Sequence, residues 1–399
     1  MTPPPFPVVR LKPKGPARAL RHGFPWVYDN ELVTDRRTQA LAPGTIAVLQ
    51  DNARTPLATV AVNPASRIIA RVLDPVPETR IDADWIAARL TRALALRARL
   101  FPTRFYRLVH AEADGLPGVV IDRFGDVAVV QPNAAWAEAK LDALTAALRR
   151  VTGVKTVLKN ASGRARALEG LDDAPACLAG FAPDGPVPVE MNGATYMADL
   201  QGGQKTGLFY DQRPNHAFAA RLADGARVLD VFSHVGGFAL AALAGGADHA
   251  LAVDGSAAAL ELARAGAARM GATDRLETRR QDAFAALGEL GREGARFGLV
   301  ICDPPAFAPN KAARAAGLRA YEKLARLAAP LVAAGGGLVL CSCSHAADLA
   351  AFRGACVRGI DKAGRAGPLV HTGLAGPDHP MHPQLAESGY LKALVFALS

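Results

Sequence analysis

Apolar positions shift along the chain from short runs near the N-terminus, through helical periods, to an alternation of strand-like and helix-like segments. Residues 1 to about 75 carry VVRL, PWVY, GTIAVLQDNARTPLATVAV and RIIARVL, rich in β-branched residues and broken by Pro and Gly, which predicts a small β-barrel. After the connector DPVPETR, the stretch DADWIAARLTRALALRARLF has a period near 3.6 and predicts a helix, with Asp82 or Asp84 as its cap. FYRLVHAEADGLPGVVIDRFGDVAVVQ adds two strand-like runs, and AAWAEAKLDALTAALRRV a further helix, so 76–186 is expected to form an α+β domain.

The Pro- and Gly-dense FAPDGPVPVE marks a boundary near 186, followed by the hairpin-like MNGATYMADLQGG. From there RVLDVF, GGFALAALAGG, HALAVD, SAAALELARAGAARMG, LETRRQD, FGLVICD, RAYEKLARLAAPLVAAG, GGLVLCSCS and YLKALVFAL alternate, which predicts a parallel, doubly wound α/β domain over 187–399. Ligands of such sheets sit beyond the carboxyl ends of the strands. The first strand there ends in Asp230, and Gly236 and Gly237 are expected to let the backbone approach a ligand at the next helix start. Asp254 ends the second strand, placed to accept from ribose hydroxyls; Asp282 follows the third, toward an adenine amino group; Asp303-Pro304-Pro305 ends the fourth. The G-x-G-x-x-G fingerprint of dinucleotide binding is missing, and the set in this order points to S-adenosylmethionine rather than NAD.

The fifth strand ends in Cys341-Ser-Cys343-Ser-His345. Buried cysteines commonly act as small hydrophobes, the expectation for Cys177, Cys302 and Cys356. Cys343 is placed differently, at a strand end where a thiolate has a use. Carbon 5 of cytosine is too weak a nucleophile to take a methyl group unaided, and a thiolate added at carbon 6 gives it enamine character. That chemistry needs one cysteine and one acid, and Cys343 with Asp303 supplies them.

Charge extends the picture toward a phosphate-rich partner. Lysine and arginine outnumber aspartate and glutamate by 46 to 37, for a net +9. KPKGPARALRHGFPWVY concentrates Lys12, Lys14, Arg18, Arg21, His22 and Trp26, a mixture suited to phosphates and stacked bases, or alternatively a solvated loop with Trp26 in the core. His110, Glu112 and Asp114 alternate along one strand but are too few for a metal shell, and no metal is expected. Five cysteines, no signal-like N-terminus and no long apolar run predict a soluble cytoplasmic protein without membrane contact.

Taken together, HGFPWVY, EADGLPGVVIDRFGD, KTGLFYDQR, LDVFSHVGGFALAA, CDPPAFA, SCS and the closing DHP and GYLKALVF resemble bacterial 23S rRNA (cytosine-5-)-methyltransferases with an N-terminal PUA domain. The resemblance spans essentially the whole chain. It implies a class I, Rossmann-like methyltransferase sheet at the C-terminus, a PUA domain at 1–75 that touches RNA, and large-subunit ribosomal RNA as partner. By the same resemblance Cys343 is the nucleophile, and cofactor contacts fall on Asp230, Phe232, Ser233, Gly236, Asp254, Asp282 and Asp303, flanked by Tyr210, Asp211 and Gln212. Ala306 stands where two-cysteine enzymes of this chemistry carry their second cysteine, leaving the elimination base unassigned, and His345 follows SCS in place of a small residue. Two other readings stay open: an amino-group methyltransferase on an RNA purine, and a noncatalytic RNA-binding assembly factor. A homodimer is neither demanded nor excluded.

Overall fold

The computed structural model describes residues 6–202 and 207–399, so Lys205 and Thr206 of the KTGLFYDQR motif lie outside the described residues. The chain divides into two compact units, one holding Met1–Asp184, Leu200–Gly207 and Asp378–Ala386, the other Gly185–Asp199, Leu208–Pro377 and Glu387–Ser399.

The first unit carries two five-stranded sheets. The N-terminal one pairs Val8–Arg10, Thr45–Gln50, Pro56–Val62, Ala70–Asp74 and Trp26–Val27 in that spatial order, with Val27, Leu49, Val60 and Val62 in its core. Phe105–His110, Val119–Phe124, Val127–Pro132, Thr156–Lys159 and Ala176–Ala179 form the second sheet. The helix Ala83–Leu100 packs Ile86 and Leu90 into that core, and Asp82 caps it by accepting from the backbone N–H groups of Asp84 and Trp85. Asp84 lies inside the first turn instead.

Buried charges join the two sheets. Arg71 bridges Glu112 (3.1 Å) and Glu169 (3.0 Å), and the indole N–H of Trp26 donates to Glu112 at 2.9 Å. Arg97, fully buried, holds Asp114 through two bonds of 2.6 and 2.8 Å. The acids weighed for a metal are therefore occupied by arginines and an indole, and among the described residues no cluster has metal-ligand geometry. Cys177, expected in a core, is exposed on the edge strand Ala176–Ala179. Its thiol turns back along the chain and donates to the carbonyls of Ala179 and Gly180, both at 3.6 Å.

The second unit is built on a seven-stranded sheet. Its strands are β1 (Arg227–Val231), β2 (His249–Asp254), β3 (Leu276–Arg280), β4 (Phe297–Cys302), β5 (Val332–Ser342), β6 (Leu369–Gly373) and β7 (Lys392–Ala397). They lie in the order β3-β2-β1-β4-β5-β7-β6, with β3 to β5 parallel and β7 antiparallel to both its neighbours. The sheet is thus not wholly parallel as expected. The polar β6, whose LVHTG carries no apolar pattern to announce it, leads through a long connection to β7, which runs back between β5 and β6.

Continuous apolar runs such as LVIC of β4 fit strands covered on both faces. The helix Gly237–Ala244 (GFALAALA) has no polar face and is buried almost all round. Arg314–Ala328 ends before Pro330, so the PLVAAG expected to continue that helix instead makes a tight turn and opens β5. Helices Ala283–Arg292 and Leu349–Lys362 complete the layers. Among the described residues no helix is long and apolar enough to cross a membrane.

Candidate active site

The carboxyl ends of β1, β2, β4 and β5 bring most of the expected residues together. Asp230, fully buried, accepts from the N–H of Ala239 at 2.8 Å, tying β1 to the start of the next helix. Burial pushes its carboxyl up to about 7, with the charge of Asp254 adding to the shift. The loop that follows is sharply wound: Phe232 and His234 have φ of 63° and 50°, and Gly236 78°. Such φ values fit Gly236, whose missing Cβ would lie 3.1 Å from Cβ of Ala263. A side chain at Gly237 would reach within 2.9 Å of Nε2 of His216. The absent side chains at both glycines also leave room for protein packing.

Asp254 accepts from the N–H of His234 (2.8 Å) through one oxygen and of Ser256 (2.8 Å) through the other, so it shapes the β1 loop as well as ending β2. Asp282 is exposed and caps the helix Ala283–Arg292 through the N–H of Ala285 at 2.9 Å. Asp303 is half-buried, its N–H donating to the carbonyl of Val231 at 3.2 Å.

Tyr210, Asp211 and Gln212 form one buried turn. The Tyr390 hydroxyl donates to Asp211 at 2.5 Å, the Asn215 amide donates to Gln212 at 2.6 Å, and the Asn192 amide donates to the Arg213 carbonyl at 2.8 Å. His216, buried beside Tyr196 and Phe238, is driven down to about 3 by desolvation, so its ring is neutral. The Gln212 side chain lies against the Cys341 thiol, and Asp230 Oδ1 and Ser233 Oγ are buried with no protein hydrogen-bond partner. A native fold rarely strands such groups, and a polar ligand bearing both donors and acceptors would satisfy them.

Four cysteines of the chain contrast with the fifth. Cys302, Cys341 and Cys356 are buried, and burial raises each thiol far above its ordinary value; Cys177 is exposed in the first unit. Cys343 is half-exposed just past β5, its Sγ 4.0 Å from the Pro304 carbonyl. Its neighbours in sequence are locked. Ser342 Oγ donates to Tyr321 Oη (2.9 Å), Tyr321 Oη and Ser344 Oγ share a bond of 2.7 Å, and Ser344 Oγ accepts from the N–H of Ala308 (2.9 Å). This clip joins the SCS turn to the Asp-Pro-Pro loop. Phe307 packs its ring 4.9 Å from Tyr321 and 6.0 Å from Phe284, while His345 is exposed. Tyr321, Tyr390, Asn215 and His216 went unrecognised in the sequence because a lone polar residue in a helix or terminal strand has no local pattern.

The basic stretch belongs to the first unit. Lys14, Arg18 and Arg21 are exposed, Arg21 pairs with Asp51 at 2.7 Å, and Lys12 donates to the Asn30 carbonyl at 3.0 Å. Trp26 is half-buried in edge contacts with Phe24 and Tyr28, close to the core alternative.

A wound loop after β1 and acids at successive strand ends give this edge of the sheet the arrangement in which open α/β folds receive ligands. The family model for S-adenosylmethionine-dependent methyltransferase matches residues 111–397, and that for a PUA-like domain matches 9–75. The chain therefore belongs to the S-adenosylmethionine-dependent methyltransferase family, and S-adenosylmethionine is its cofactor. It is 34% identical over 389 residues to Ribosomal RNA large subunit methyltransferase I of Aeromonas hydrophila, covering 96% of this chain and 97% of that protein. Identity is 36% over 387 residues with a Ribosomal RNA large subunit methyltransferase of Deinococcus radiodurans, 94% and 93% of the two chains. Among solved structures, a Streptococcus mutans chain described as a SAM-dependent methyltransferase shares the fold with a TM-score of 0.80 at 19% identity, over 98% of this chain and 100% of that one.

Proposed function

We propose that this methyltransferase modifies carbon 5 of a cytosine in large-subunit (23S) ribosomal RNA, with Cys343 as covalent nucleophile. One observation carries the proposal: the half-exposed Cys343 is clipped, through Ser342, Tyr321 and Ser344, to the loop that follows Asp303. Two near-full-length relatives named for large-subunit ribosomal RNA support the substrate class. The ring of Phe307, engaged with Tyr321 and Phe284, is poorly placed to stack on a purine, which weighs against amino-group transfer.

When bound, S-adenosylmethionine supplies an electrophilic methyl group on a sulfonium. Asp230, Ser233, Gln212 and the Tyr210–Asp211 turn would hold its amino-acid end, and Asp254, Asp282, Phe232 and the Gly236 loop its nucleoside. The Cys343 thiolate adds to carbon 6 of the base, and the displaced ring electrons give carbon 5 nucleophilic character. Asp303 holds the N3 and N4 edge and favours the protonated ring. After the methyl group arrives, the proton on carbon 5 leaves to a base, the ring double bond re-forms and the carbon 6–sulfur bond breaks, freeing Cys343. Unstacking a base from structured RNA calls for auxiliary grip. Lys14 and Arg18 are the readiest phosphate contacts, and Lys12 and Arg21 are the more constrained pair.

The test is methyl transfer from labelled cofactor to unmodified large-subunit RNA, followed by digestion to nucleosides. Label in 5-methylcytidine is expected; label in a methylated purine would replace this reading by the amino-group one.

A further inference from the structure

Lys392 opens β7 in register with Ser342, the residue before Cys343. Its side chain is only 4% exposed, and its Nζ donates to the carbonyls of Ser344 (2.7 Å) and Ala347 (2.8 Å). Both carbonyls belong to the turn that leaves Cys343. A lysine is seldom buried so completely unless paired, because removing an ammonium from water is costly. Among the described residues no carboxylate forms an ion pair with it; carbonyl dipoles alone neutralise only part of its charge.

We propose that Lys392 is a positioning residue for Cys343: its buried ammonium pins the turn that carries the thiol and acts as counter-ion to the thiolate. The proposal rests on the reading of Cys343 as nucleophile and adds what makes that thiol ionise. Burial draws the lysine below its ordinary value, and the largest attraction opposing that shift is to Cys343, followed by Asp348. Two acids, a phenol and an imidazole stand on the neighbouring segments. Asp303, beyond β4, is an acid; Tyr321, from the helix Arg314–Ala328, is kept neutral as burial raises its hydroxyl; Asp348 is bound to Arg314 at 2.7 Å; and His345 is exposed. Lys392 is thus the buried cation of the set. Ionisation releases the thiol proton to solvent and leaves the electron pair on sulfur, ready for carbon 6.

The experiment is the pH dependence of iodoacetamide alkylation at Cys343 in the full-length protein, read by peptide mass mapping. Wild type should react with a midpoint below the ordinary thiol value of about 8.5. Lys392→Met should raise that midpoint by about one unit or more while S-adenosylhomocysteine still binds, and Lys392→Arg should keep it near wild type. A wild-type midpoint at or above the ordinary value, or an unchanged one in Lys392→Met, would overturn the proposal. Should Lys392→Met not fold, the wild-type midpoint decides alone. The nucleophile itself is read separately, by whether wild type forms a denaturant-stable adduct with a large-subunit transcript containing 5-fluorocytidine. That adduct without the midpoint shift sinks only the role of Lys392, and its absence sinks the reading beneath it.

Discussion

Two buried ionisable residues beside the pocket titrate in opposite senses, and this gives a pH signature. Desolvation first, and the charge of Asp254 after it, raises Asp230 from 3.8 to about 7, so folding favours its neutral form. Its contribution is whole below the unfolded value and is lost as pH rises toward 7, at about 1.4 kcal/mol per pH unit. His216, lowered from 6.5 to about 3 by desolvation, is favoured neutral, and its contribution is lost as pH falls through that range. Between 3.8 and 6.5 the two slopes oppose each other. Urea unfolding of Asp230→Asn should therefore uncover the histidine slope, stability dropping by about 1.4 kcal/mol per unit below 6.5. Profiles of the same shape in both proteins would contradict the burial argument. At this scale the place of Cys343 was legible, because the apolar run GGLVLC ends in the polar SCS turn, and the structure closes the strand at Ser342 with Cys343 partly exposed just beyond it. His216 was not, since its character comes from the Tyr196 and Phe238 rings packed on it.

Elements hold the chemistry through two close fits. Ser344→Ala should leave the buried N–H of Ala308 without its acceptor, costing about 1–3 kcal/mol in unfolding experiments. Turnover should fall with cofactor affinity little changed, since the Cys343 turn then loses its tie to the Asp-Pro-Pro loop. Equal losses in both would mean that the clip supports the whole pocket and not the thiol. Gly237→Ala should cost about 1–3 kcal/mol by overpacking against His216, and S-adenosylhomocysteine binding should weaken with it. Normal stability in that variant would refute the close fit. The strand–helix alternation was readable because β1, β2, β4 and β5 carry apolar runs that only a covered sheet accommodates. β6 was not: its burial alternates weakly, and its pairing comes from β7 across a long, polar connection.

For the whole molecule, composition and punctuation announced an N-terminal β region and a C-terminal doubly wound sheet. They could not announce that Arg71, Glu112, Glu169 and Trp26 bind the two N-terminal sheets into one compact unit, since residues far apart in sequence meet only in the fold. The basic stretch belongs to this scale too. Reversing the charges of Lys14 and Arg18 together should lower RNA affinity and reduce the slope of log affinity against log salt by about 0.7–0.9 for each lost phosphate contact. Cofactor affinity should not change, and an unaltered salt slope would make that stretch a solvated loop. The most direct test of the central claim is bisulfite mapping of large-subunit ribosomal RNA from cells lacking this gene, complemented by wild type, Cys341→Ala or Cys343→Ala. The account predicts one cytosine that loses its methyl group and regains it with wild type and Cys341→Ala but not with Cys343→Ala; an unchanged cytosine map, or restoration by Cys343→Ala, would contradict it.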